Sequence, residues 1–183
     1  MMSMEAARRL LKENISNRNI RKHMIAVSAI MKGLAKRFDQ EEEPWTLTGL
    51  LHDIDYEGEG STISRHGLAS AEILEGKLPK DCLHAIKAHN EETGIKADGL
   101  LDKALIAADA VSGLIVAAAL VMPNKKLSEV RVETLIKKFK DNSFARSVDR
   151  NRIMVCEEIG LQFEEFQEIS LRSLQAVSRE LGL

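Results

Sequence analysis

Apolar residues recur along this chain at intervals of three and four, which predicts helices throughout. Ala6, Leu10 and Leu11 mark a helix over about Ser3–Asn14. Asn17 or Asn19 can cap a longer one running to about Phe38, with Ile20, Val27, Ile30, Met31 and Leu34 on one stripe. The acidic run Glu41–Glu43 and Pro44 suit a helix start, where carboxylates meet the dipole and proline needs no N–H. That third helix carries Leu47, Leu50, Leu51 and Ile54. Asp55–Thr62 is acidic and glycine-rich and reads as a loop. Ser64 is placed to cap a helix to about Leu74, and Pro79 to start another to His89. After a polar loop, Asn90–Gly99, the longest and most apolar segment runs from Leu100 to Met122 and stops at Pro123-Asn124. Leu127–Phe139, Phe144–Ile159 and Phe163–Leu181 read as amphipathic outer helices. There is no repeat, no low-complexity tract and no convincing linker. The expectation is one all-α domain over 1–183: a compact multi-helix bundle with a motif-bearing core at about 18–122 and a C-terminal helical extension at about 125–183.

Composition narrows the class. Of 183 residues, 44% are hydrophobic and 30% charged, as in a soluble globular protein. Aromatic residues are 4% and prolines number three, which disfavours many short packed strands. Lys+Arg 26 against Asp+Glu 28 leaves a net charge of −2, so no nucleic-acid polymer is expected as a partner. The N-terminal MMSMEAARRLLKEN lacks the apolar stretch of a secretory signal. Ala104–Met122 contains Asp109 and falls short of the ~20 clean apolar residues of a membrane span. Cys82 and Cys156 form no CxxC, which suits reduced thiols. A cytoplasmic protein with no membrane partner is expected.

All five histidines, His23, His52, His66, His84 and His89, lie in the first half. His23 shares a helical face with Ile20, Val27 and Ile30 and points inward. His52 and Asp53 are neighbours near the end of an apolar helix. They diverge by about 100° on that helix, yet both can reach one cation if the helix end faces it. Asp109 sits in LIAADAVSGL, apolar on nearly all sides, where an ionised carboxylate is costly unless paired or bound to a metal. Each residue alone has an ordinary reading as a hydrogen-bonded core group. Together, imidazoles and carboxylates on apolar faces suit a divalent transition metal.

That pattern resembles the HD-domain superfamily of metal-dependent phosphohydrolases, in an HDIG-like branch: His23 in RKHMIAVSA, His52-Asp53 in LLHDIDYE and Asp109 in LIAADAVSGL. The resemblance covers about residues 18–122. It implies that His23, His52, Asp53 and Asp109 hold a divalent ion (Mn, Fe, Ni, Co or Zn), with His52 and Asp53 central to catalysis. Members with two metals add histidines between the pair and the last Asp. His66 in SRHGLASAEIL and His89 in AIKAHNEETG occupy such positions, and Asp53 would then bridge. The same two residues also read as an exposed cap residue and a helix C-terminal cation. His84 falls outside the pattern and reads as structural or solvated.

Many relatives continue His-Asp-Ile-Gly-Lys, where the Lys can approach a phosphate; Asp55 and Tyr56 stand there in this chain. The Gly-Tyr-Pro signature of cyclic-dinucleotide phosphodiesterases is missing after Asn90-Glu91-Glu92. What the resemblance implies is hydrolysis of a phosphate ester, on a nucleotide or related small phosphorylated metabolite, by water that a divalent ion acidifies. Arg18, Arg65 and Lys87, close in sequence to the proposed ligands, are candidates to meet the phosphate. A dinucleoside polyphosphate hydrolase, a metal- or nucleotide-binding sensor and a purely structural bundle are the competing readings. The amphipathic C-terminal helices leave a homo-oligomer open, and the histidine-free C-terminal part is expected to support the fold, not the chemistry.

Overall fold

The computed structural model describes residues 1–58 and 62–183. Among the described residues there are helices and turns and no strand. In chain order the helices are α1 (Met4–Asn14), α2 (Arg18–Arg37), α3 (Glu42–Leu51), α4 (Leu68–Ile73), α5 (Lys80–Ala88), α6 (Leu100–Leu120), α7 (Val132–Lys140), α8 (Arg150–Glu158), α9 (Phe163–Ala176) and α10 (Ser178–Leu181).

The first helices begin where side chains satisfy their free N–H groups. Ser3 Oγ accepts from the Ala6 amide, and Asn17 Oδ1 from Asn19 at 2.8 Å. Glu57, beyond α3, accepts from the Ser16 and Asn17 amides and from Ser16 Oγ, tying the chain after the His-Asp pair to the start of α2. α2 and α3 cross closely at Gly49. A Cβ there would lie 2.9 Å from the Ser28 backbone, so the crossing itself requires glycine. Ser28 Oγ donates to the Thr46 carbonyl at 2.8 Å and fixes the register.

α6 runs through the middle, packed against α2, α5, α7, α8 and α9. Ala104, Ala107, Ala108, Ala118 and Ala119 are all fully buried, and their small side chains let neighbours approach on every side. At 21 residues α6 is long and apolar enough to cross a membrane by length and composition, which the sequence reading had denied it. More than half of it is nonetheless buried inside the fold. Leu34, Leu47, Leu51, Ile86, Leu105, Ile115 and Phe166 belong to one continuous core joining the motif-bearing helices to the C-terminal ones.

Three predicted boundaries move, each because a side chain takes the backbone groups a helix would use. Ser64 caps no α-helix: Ile63–Arg65 form a 3-10 turn, His66 is extended and α4 starts at Leu68. Asp55, from the predicted loop, caps α4 instead, accepting from the amides of Gly67 (2.8 Å) and Ser70 (3.2 Å). The predicted helix from Leu127 opens as a separate 3-10 turn, with Glu129 folding back to accept from the Asn124 amide and side chain. The predicted start at Phe144 fails because Arg150 donates to the carbonyls of Phe144, Ala145 and Val148. α8 begins six residues later, capped by Asp149 on the Asn151 amide. Residues 59–61 of the predicted loop Asp55–Thr62 lie outside the described residues.

Candidate metal centre

The second turn of α2, the C-terminal ends of α3 and α5, the turn before α4 and the middle of α6 converge on one point. They bring His23, His52, Asp53, His66, His89 and Asp109 together. The last carbonyls of a helix have no partner within it, and two of these histidines use that. His52 caps α3 and sets Nδ1 3.0 Å from the Gly49 carbonyl; His89 caps α5 with Nδ1 on the Ile86 carbonyl. A carbonyl only accepts, so Nδ1 carries the proton in both rings. His66 Nδ1 faces Asp55 Oδ1 at 2.9 Å, and His23 Nδ1 faces Ser112 Oγ at 3.2 Å. Ser112 gives its own proton to the Asp109 carbonyl at 2.8 Å, so its oxygen receives from His23.

All four rings therefore have Nδ1 engaged and Nε2 turned toward two carboxylates. Asp53 Oδ1 has Nε2 of His52 at 3.0 Å, of His66 at 3.2 Å and of His89 at 3.4 Å. Asp109 Oδ1 has Nε2 of His23 at 3.1 Å and of His52 at 3.8 Å. Nε2 of His66 and His89 are 3.2 Å apart. Yet His52 Nε2 and Asp53 Oδ1, both inaccessible to water, make no well-directed hydrogen bond. Lone pairs facing lone pairs in a buried space repel, and only cations relieve them. Protons can do so in part. Burial opposes charge on His66, but Asp53 and Asp55 outweigh it and push the imidazole up to about 10. His23 is raised in the same way, its burial outweighed by Asp109 and Asp53. Burial would push Asp53 and Asp109 up; the surrounding imidazoles hold both well below the usual carboxylate range.

A divalent ion meets the same need with more charge. Ligand atoms of His23, His52 and Asp109 lie within 4.8 Å of one another, as do those of His52, Asp53 and His89. Both groups draw on His52, whose single free lone pair, on Nε2, can serve one ion. His52 and His89 are buried, whereas 30% of the His23 side chain and 22% of Asp109 reach solvent. One half is deep and the other opens outward.

The basic candidates are not part of this cluster. Arg18 is exposed on the first turn of α2, and Arg65 pairs with Glu72 at 2.7 Å on the surface. Lys87 is half-buried on α5 and makes no ion pair among the described residues. His84 pairs with Asp102, which closes the N-terminus of α6 by accepting from Asp98 and Gly99. Three residues that sequence reasoning passed over do reach the centre. Asp55 orients His66. Ser112 orients His23, and its spacing of three from Asp109 was a readable sign of a shared face. Arg152 on α8 donates to Asp109 Oδ2 at 2.8 Å and to the His89 carbonyl at 3.0 Å. Nothing local marked it; the C-terminal part, expected to support the fold or assembly, thus also touches a residue of the centre.

A helical bundle that turns His, His-Asp and a distant Asp onto one point defines the class of protein to which this chain belongs. The chain is a member of the HD domain family, whose model matches residues 20–114, from α2 into α6. Among curated proteins it is similar to Ribonuclease Y of Nitratidesulfovibrio vulgaris, strains DP4 and Hildenborough. Identity is 35% over 105 residues in each case, covering 53% of this chain and 18% of the relative. The chain thus spans under a fifth of the length of these relatives. No solved structure matches it.

Proposed function

We propose that this protein is a metal-dependent phosphohydrolase acting on a phosphate ester of a small phosphorylated metabolite such as a nucleotide. The observation that carries the reading is the convergence of four imidazole Nε2 atoms on two carboxylates, with His52 Nε2 and Asp53 Oδ1 buried and unpartnered. HD domains are generally metal-dependent hydrolases, and this donor set of neutral imidazole and carboxylate fits a first-row divalent ion. His23, His52 and Asp109 would hold one ion; Asp53, His66 and His89 would hold a second with Asp53 shared. When bound, such ions acidify water and draw charge from phosphoryl oxygens.

The chain's own residues do the rest. Nδ1 contacts to Gly49, Ile86, Asp55 and Ser112 lock four rings before any ligand arrives, so no reorganisation is needed at the reacting centre. The deep half excludes water from His52 and Asp53. The open half, at His23 and Asp109, is where substrate enters. Arg18, Arg65 and Lys87 stay candidates for the outer part of the substrate.

The relatives' name supports a second reading of the same site, cleavage of RNA phosphodiesters, although the net charge of −2 supplies no excess of cations for a polyanion. Dinucleoside polyphosphates form a third class that a two-ion site would suit. Purification without chelator followed by elemental analysis tests the centre. A panel of nucleoside monophosphates, dinucleoside polyphosphates, simple phosphate monoesters and short RNA tests the substrate. Hydrolysis of monoesters, lost in His52→Ala and Asp109→Ala, is the expected result. Full activity in either variant, or cleavage of RNA alone, overturns the reading.

A further inference from the structure

Arg152 comes from outside the matched segment, residues 20–114, yet it touches both halves of the centre. α8 explains how. Its sequence, RNRIMVCEE, is mostly polar, but Ile153 and Cys156 are fully buried and seat the helix against α6. Arg150 and Arg152 lie two apart and so point to opposite sides. Arg150 clasps the turn that leads into α8. Arg152 turns inward and spends one nitrogen, Nη2, on two acceptors: Asp109 Oδ2 and the His89 carbonyl. It is the sole Lys or Arg paired with a carboxylate of the centre among the described residues. With Oδ2 taken, Asp109 has Oδ1 alone to turn toward His23 and His52. The hold on His89 acts on the backbone of the residue that caps α5.

From this geometry we propose that Arg152 is a positioning residue of the metal centre, fixing Asp109 as a one-oxygen ligand and tying the open half-site to the deep one. α8 is thereby a working wall of the centre, and the HD segment alone is incomplete without it. The proposal rests on the metal-centre reading above. A guanidinium beside a cation also repels it. Charge alone therefore predicts tighter metal binding once the arginine is removed; positioning predicts weaker binding, so the two have opposite signs.

The test is titration of the metal-stripped protein, residues 1–183, with Mn2+ by calorimetry, together with the visible spectrum of the Co2+-loaded protein. Arg152→Gln should lower the affinity of the open half-site by about 10- to 100-fold, the range seen when an outer partner of a ligand is lost. It should also change the Co2+ spectrum, because Asp109 becomes free to offer both oxygens. Arg152→Lys keeps the charge without the planar fork and should also bind Mn2+ more weakly. It serves as well if the glutamine variant fails to fold. Arg150→Gln breaks the neighbouring clasp and should lower the melting temperature with affinity and spectrum unchanged; a fall in affinity equal to that of the Arg152 variants would reduce α8 to a structural support and overturn the proposal. Wild-type or tighter Mn2+ binding by a folded Arg152 variant overturns it directly. A wild-type protein that takes up no divalent ion removes the centre itself, and the proposal with it.

Discussion

The two half-sites are built from different materials. The deep one, at His52, Asp53, His66 and His89, hangs on short-range features: two helix ends whose orphan carbonyls take Nδ1, and Asp55 three residues from His52. The open one, at His23 and Asp109, is assembled across the fold, from α2, α6 and α8. The deep half inherits its precision from local backbone geometry. The open half depends on how three helices pack, and both of its side chains reach solvent, whereas in the deep half His52 and His89 are buried and His66 is partly exposed. The difference implies that the deep half is the more rigid and the open half the more easily disturbed from a distance.

His52, whose Nε2 stands beside both Asp53 and Asp109, is the place to break the comparison most severely. His52→Ala removes a ligand of the His23–Asp109 ion and should lower metal content by elemental analysis and activity by more than the roughly 100-fold that an outer partner carries. Retention of the full wild-type metal content would show that His52 is not a ligand. His89→Ala and His23→Ala should separate them, each costing about half the metal of a two-ion protein. Equal and total loss in both would mean a single ion.

Asp55→Asn sharpens the contrast from within the deep half. It weakens the hold on His66 and the cap of α4, so metal affinity there should fall by about 10-fold or more, with about 1 kcal/mol lost in chemical denaturation. The open half should bind as before; a shift at the Asp109 site would argue against independent halves.

Protons provide a gentler probe. His66, raised to about 10 by Asp53 and Asp55 against its burial, is charged near neutrality in the metal-free protein. Its pairing therefore stabilises fully below the ordinary histidine value near 6.5 and is lost as pH rises through about 10. Asp53 and Asp109 have lowered values, so their contribution is present above the ordinary 3.8 and is lost in acid. Metal-free protein should accordingly melt at its highest temperature between those limits, other groups apart. Metal uptake at pH 7 should release protons and tighten as pH rises, measurable by calorimetry in buffers of different ionisation enthalpy. Uptake with no proton release would contradict the pairing.

The smallest effect lies outside both halves. Burial pushes the Cys82 thiol up to about 11 and Cys156 up to about 12. Neither should react with a thiol reagent at pH 8 until the protein unfolds, whether or not metal is bound. Prompt labelling of Cys156 in native protein would show that α8 opens.

Much of this was legible in the chain. Spacing at three and four fixed the helical class, because burying one face of a helix demands that period whatever the partner. The inward face of His23, the pair His52-Asp53 and the isolated Asp109 could be read because polar residues are costly on apolar surfaces and so stand out. Breaks at Ser64, Leu127 and Phe144 could not be read, because they depend on Asp55, Glu129 and Arg150 side chains reaching backbone that local propensity assigns to helix. Arg18, Arg65 and Lys87 lie close in sequence to the ligands, yet none of them pairs with a carboxylate of the centre among the described residues. The cation that does reach the centre, Arg152, lies 43 residues beyond Asp109.

By itself, then, the sequence determined an all-helical HD domain and the residue types gathered at its centre, since period and polarity are properties of each segment alone. Only the tertiary structure decided that His23 and His66 find partners for Nδ1, that four Nε2 atoms converge on Asp53 and Asp109, and that α8 closes the site with Arg152. Those facts depend on distances of about 3 Å between helices far apart in the chain, where a hydrogen bond is made or lost by packing and not by any local preference.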